Sequence, residues 1–145
     1  MQYNFYDFLR SLIPSCQQVE YGAAVSAIGT IFSYLLGWDS ITEALVVLMA
    51  LDYATGIMAA YINPQLALNS QRGFRGICKK LFILLVVATA HFIDRAIGET
   101  VIQLVVTWFY ISNEGLSVLE NAAKAGIPIP DKLHQKLEQL GNEKR

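Results

Sequence analysis

The feature that most constrains this chain is the run from 41 to 62, ITEALVVLMALDYATGIMAAYI. At about 1.5 Å per residue it makes a helix of about 33 Å, which matches the hydrocarbon core of a bilayer. Asn63-Pro64 closes it. A soluble helix of that length and apolarity is out of proportion to a chain of 145 residues. Charged residues make up only 16% of the chain, against about 25% in a soluble domain. Much of the surface is therefore expected to face lipid.

Three further segments compete for the bilayer. Residues 21–38, YGAAVSAIGTIFSYLLGW, carry no charge and are just long enough to span. Gly22, Ser26, Gly29, Ser33 and Gly37 fall along one stripe of this helix, and small residues at such spacing let helix backbones approach closely in lipid. The stripe is either an oligomerisation face or packing within one subunit. Residues 63–80 read as a polar loop and the approach to the next span, with Arg72, Arg75, Lys79 and Lys80 and no acid. The apolar run LFILLVVATAHFI (81–93) makes a span of about 79–94. Residues 101–121 are amphipathic: Gln103, Thr107, Tyr110, Glu114, Ser117 and Asn121 follow one helical stripe. This helix either spans beside partners or lies along the surface.

Both ends read as shorter elements. In residues 2–13, Phe5, Phe8, Leu9, Leu12 and Ile13 share a helical face, with Tyr3, Tyr6 and Arg10 suited to the headgroup region. No secretory signal peptide is expected, because Asp7 and Arg10 interrupt any early apolar core. Gly126 suits a helix C-cap, and Pro128 and Pro130 prevent continuation. Residues 126–145 then read as a cytoplasmic amphipathic tail with Leu133, Leu137 and Leu140 on one face. The fold class is all-α: a polytopic membrane domain over 1–125 with three to four transmembrane helices, an N-terminal amphipathic helix and a short cytoplasmic C-terminal helix.

Lys and Arg select the cytoplasmic side. With four spans and both termini inside, only Arg95 of the eleven bases lies outside. A three-span arrangement without the first helix moves only Arg10 and the N-terminus across. The orientation is thus set by charge, while the first helix is left open.

A lone charge at the bilayer centre costs about 2.5–3.5 kcal/mol on insertion scales. Asp52 must therefore face protein, water or a partner, or be neutral. Asp52, Thr55, Gly56, Ala59 and Asn63 form a small, weakly polar stripe, while Leu45, Leu48, Leu51 and Ile57 are apolar. The stripe lines a lumen or meets another helix, with Ser33 or His91 as bonding partners for Asp52. His91 reads as a packed, satisfied histidine, with Asp52 or Glu114 as the alternative partner. No Ser/His/Asp set, HExxH, CxxC pair or phosphate loop occurs, and GFRGICKK lacks the ending of a P-loop. An enzyme, a metal site, a cofactor and a nucleic-acid partner all lack support; the net charge is −1.

Over residues 45–140 the chain resembles the phage holin family that includes the phi29- and Cp-1-type holins and the holin-like toxin-secretion proteins of clostridia. The resemblance is carried by LDYATGIMAA with Asp52 and Gly56, RGFRGICKK, an apolar span ending at Asp94, and above all YISNEGLSVLENAAKAGIPIP. It implies a homo-oligomer in the bacterial (host) cytoplasmic membrane that forms holes. The holes release a lytic enzyme, an endolysin, or a toxin, and collapse the membrane potential; no catalysis is involved. An antiholin is a further partner the resemblance implies. The residues alone also fit a small proton-coupled multidrug-type transporter using Asp52, or an antiholin or scaffold of the same fold.

Overall fold

The computed structural model describes residues 14–64, 66 and 70–130. Within them four helices follow one another: α1 (Cys16–Leu36), α2 (Ser40–Ile62), α3 (Ser70–Ile97) and α4 (Val101–Lys124). The amphipathic helices expected at 2–13 and in the tail beyond Pro130 lie outside the described residues. By length and composition α1, α2 and the Gly73–Ile97 part of α3 are fit to cross a membrane. The chain divides into two compact units, Met1–Leu35 and Leu36–Arg145.

In the first unit, α1 begins five residues before the expected start at 21. The cause is a reciprocal cap: Ser15 N–H donates to Gln18 Oε1 at 2.8 Å, and Gln18 N–H donates to Ser15 Oγ at 3.3 Å. The side chains from Cys16 to Leu35 are exposed, including Tyr21, Val25, Ile28 and Ile31. Gly22 and Gly29 have open space where a Cβ would stand.

The second unit holds α2, α3 and α4. Asp39 caps α2 by accepting the Thr42 N–H at 2.7 Å. α3 begins at Ser70, so the expected loop over 63–80 is corrected: its last eleven residues are helical. α4 is the central element, packed against both α2 and α3. α2 and α4 run parallel and level. At their first turns Gln103 Nε2 reaches Thr42 Oγ1 at 3.5 Å, and it also donates to the carbonyl of Leu36, just before α2, at 2.8 Å. At their last turns Asn63 Nδ2 donates to the Lys124 carbonyl at 3.0 Å. α4 ends where Gly126 takes a left-handed φ of +81° and Ile127 N–H bonds back to the Ala122 carbonyl, a C-terminal closure that suits glycine.

The apolar core of this unit is small: Leu36, Leu45, Met49 and Val87, bordered by Ile83, Leu84, Val106 and Ile111. Thr42, Asp94, Thr107 and Glu114 are buried with it. The outside is apolar, with Phe74, Phe82 and Leu85 on α3 and Val105, Trp108 and Phe109 on α4 largely exposed. Polar groups inside and large apolar groups outside invert the distribution of a water-soluble domain. Lipid tails are as apolar as leucine, so close packing and internal hydrogen bonds hold such helices together.

Candidate functional site

Two polar clusters occupy the interior of the second unit, one above and one below the apolar core. The first gathers Asp52 of α2, Lys80 of α3, and Glu114 and Asn121 of α4. Lys80 Nζ lies 2.8 Å from Asp52 Oδ2 and also pairs with Glu114 Oε2. Asn121 Nδ2 donates to Asp52 Oδ1 at 2.9 Å, to the Asp52 carbonyl at 3.1 Å and to Thr55 Oγ1 at 3.2 Å. Thr55 Oγ1 in turn donates to the Leu51 carbonyl at 2.8 Å. The polar stripes of α2 and α4 thus face each other, joined by a cation from α3. Gly56 lies against the same amide, and a Cβ there would meet Asn121 Nδ2 at 3.5 Å, an ordinary packing contact. Ala59 is buried beside it at 1% exposure. A cleft of about 300 Å³ opens against the cluster, lined by Asp52, Gly56, Gly73, Gly76, Lys80 and Asn121.

The second cluster lies at the opposite end of the bundle. Asp94, 3% exposed near the end of α3, accepts the first-turn N–H groups of α4: Ile102 N–H to Oδ1 at 3.0 Å and Gln103 N–H to Oδ2 at 2.8 Å. Thr100 stands at the N-cap of α4 and makes no side-chain cap bond, so Asp94 does that work from the preceding helix. The Gln103 amide bridges His91 Nδ1, at 2.9 Å from its Oε1, to the turn after α1. Thr107, 1% exposed, donates to the Gln103 carbonyl at 2.7 Å.

The clusters sort the residues singled out in the sequence. Asp52, Thr55, Gly56, Glu114 and Lys80 come together; His91, Gln103 and Thr107 belong to the other end, and Asn63 ties the last turns of α2 and α4. Asp52 is held by Lys80 and Asn121 rather than by His91. Glu114 likewise meets Lys80, and His91 meets Gln103. Gly37 is corrected from the α1 stripe: it takes φ +58° in the turn after α1, and a Cβ there would fall 2.2 Å from His91 Nδ1. Gly22, Ser26, Gly29 and Ser33 remain on the exposed surface of α1. Arg75 and Lys79 are exposed on the first turns of α3; the side chain of Arg72 lies outside the described residues. Lys80 is corrected from a member of a basic loop to an internal cation, and Asp94 and Asn121 were missed as site residues. A signal existed for Lys80: with Ile83, Leu84 and Val87 it follows i, i+3, i+4, i+7, the buried face of α3.

Residues 30–142 of the chain match the bacteriophage holin family. An uncharacterised 14.9 kDa protein of Clostridium perfringens is 42% identical over 123 residues, covering 83% of this chain and 92% of its own length. A protein of Halalkalibacterium halodurans is 36% identical over 135 residues, 88% and 97% of the two chains. A probable holin of Bacillus phage phi105 is 35% identical over 107 residues, 70% and 78% of the two chains. No solved structure matches the chain significantly.

Proposed function

Because the chain belongs to the bacteriophage holin family, we propose that it is a holin that assembles with copies of itself in the bacterial cytoplasmic membrane. Its holes release a lytic enzyme and collapse the membrane potential, without catalysis. The observation that carries this reading is the buried polar seam: Asp52, Lys80, Glu114 and Asn121 lie inside a bundle whose exterior is apolar. In a lone protomer the seam is satisfied internally. In a ring of protomers the same stripes of α2 and α4 turn to a shared water-filled lumen.

The helix ends support a topology. α2 and α4 are parallel and level, so α4 crosses the same depth of bilayer as α2, although its own composition is more polar. Its exposed Val101, Val105, Trp108 and Phe109 face lipid. Arg75 and Lys79 at the start of α3 and Lys124 at the end of α4 lie on one side, which the positive-inside rule makes cytoplasmic. With α1 as a further span, both termini are cytoplasmic. The engagement of Asp52 by Lys80 and Asn121 favours the hole former over a proton-coupled transporter, whose carboxylate has to be free to take proton and substrate in turn.

The test is induced expression in bacteria that contain a cytoplasmic lytic enzyme. Abrupt loss of membrane potential with enzyme release is expected, and Asp52→Leu is expected to shift or abolish it. Intact potential and retained enzyme at full membrane accumulation would refute the reading, and delay of another holin on co-expression would identify an antiholin.

A further inference from the structure

One side chain ties three helices together. α2 and α3 each pack on α4, and Lys80 of α3 reaches both Asp52 of α2 and Glu114 of α4. The two acids are not held equally. Asp52 has a second support, since its Oδ1 accepts from Asn121, whereas Glu114 is held by Lys80. Of the bases nearest along the chain, Arg75 and Lys79 are exposed, and Lys124 pairs with Glu120 at 3.5 Å. Two carboxylates around one ammonium leave the cluster with a formal charge of −1.

That charge sits where the surroundings screen it poorly. The side chains of Asp52, Lys80 and Glu114 are 17%, 15% and 9% exposed. Repulsion between charges grows as the effective dielectric falls, and a buried pair that loses one partner is strongly disfavoured. The cleft of about 300 Å³ that reaches Asp52 and Lys80 is walled by Gly56, Gly73 and Gly76, and Ser117 lines it too.

We propose that the Asp52–Lys80–Glu114 cluster is a latch that keeps the protomer closed, and that its unbalanced negative charge sets how readily the latch releases. The proposal rests on the hole-forming reading above. The closed state gains from the two ion pairs and loses from keeping the second carboxylate out of water, a desolvation cost that one shared ammonium does not repay. The open state places both carboxylates in water and is nearly indifferent to their number. A conformational equilibrium moves only by the difference in interaction between its two states. Cluster charge is thus the variable: −2 in Lys80→Met, −1 in the native chain, 0 in Glu114→Gln or Asp52→Asn.

The experiment expresses each full-length variant with a cytoplasmic lytic enzyme and compares onset of release at equal membrane accumulation. Lys80→Met is expected at least twofold earlier than the native chain, Glu114→Gln and Asp52→Asn at least twofold later, and Lys80→Arg unchanged. Onset times that do not follow the cluster charge overturn the latch. If Lys80→Met does not accumulate, Glu114→Gln alone decides, and an unchanged onset overturns the proposal. If the native chain never releases the enzyme, the hole-forming reading fails and the latch is read separately. A Ser117→Cys reporter, in a Cys16→Ser/Cys78→Ser background, is then labelled with a membrane-impermeant thiol reagent. Labelling several-fold slower in Glu114→Gln than in its parent supports the latch, and equal rates overturn it.

Discussion

Replacing Asp94 by alanine isolates what one buried carboxylate contributes to the assembly of α3 with α4. Asp94 is 3% exposed and accepts two backbone N–H groups, those of Ile102 and Gln103, at 3.0 and 2.8 Å. These are orphan donors of the first turn of α4, which Thr100 leaves uncapped. A lost N-cap costs about 0.5–2 kcal/mol, and a buried donor left without a partner about 1–3 kcal/mol. The site lies near the end of the bundle, where water relieves part of this penalty, so a loss of about 2–3 kcal/mol is expected. For a chain of this size that is a fall in Tm of roughly 4–12 °C. The assay is thermal denaturation in a mild detergent, followed by loss of the folded peak in size-exclusion chromatography. Asp94→Asn keeps one carbonyl acceptor and is expected to fall between alanine and the native residue. A Tm for Asp94→Ala close to that of the native chain would refute the assignment of Asp94 as the cap of α4.

Two other perturbations have magnitudes set by the same structure. Lys80→Met removes the ammonium shared by Asp52 and Glu114 and is expected to cost about 3 kcal/mol. The neutral triple variant Asp52→Asn/Lys80→Met/Glu114→Gln should recover most of that in the same denaturation assay, and a triple variant no more stable than Lys80→Met would show that charge is not the cause. Gly37→Ala adds a Cβ at φ +58°, worth about 1–2 kcal/mol of backbone strain, and drives it into His91, so a loss of about 2 kcal/mol is expected; in a Gly37→Ala/His91→Ala pair the clash is relieved and the strain remains, giving a partial recovery in Tm.

The helices themselves were legible because a span is a matter of local composition and length. The run 41–62 differs from α2 by one residue at its start, and the polar stripe of 101–121 reappears as the buried face of α4, with Thr107 and Glu114 inside. The partners were not legible. Nothing local says that α2 and α4 pack side by side in parallel, and it is this pairing that brings Asn121 to Asp52, and Gln103 to the turn at Leu36 and Gly37. Lys80 was misplaced for a definite reason: counted with Arg72, Arg75 and Lys79 it belongs to a basic segment, while its own spacing to Ile83, Leu84 and Val87 puts it on the core face. Asp94 looked like the polar end of a span because its bonds go to backbone N–H groups eight and nine residues ahead, which no side-chain pattern reveals.

On the proposed hole-forming reading, the inverted polarity of the bundle also determines how opening must depend on the amount of protein. For Asp52 and Glu114 to leave Lys80 and Asn121, their stripes must turn toward something other than the protomer. Turned to lipid, two mid-bilayer carboxylates cost roughly 5–7 kcal/mol on insertion scales, a population of about one in ten thousand or fewer. Turned to water they cost far less, but a lumen exists only where several protomers open together. A single subunit therefore gains nothing by opening alone, and the step that creates the hole has to be of higher than first order in membrane abundance. Graded induction, with the rate of enzyme release plotted against membrane-bound protein, should rise at least as the second power of abundance and show a threshold. Glu114→Gln, whose neutral cluster holds the closed state more tightly, should raise that threshold while keeping the order. Release proportional to abundance from the lowest expression upward would mean that single protomers open, and the seam would then have to face water along a path this arrangement of α2, α3 and α4 does not provide.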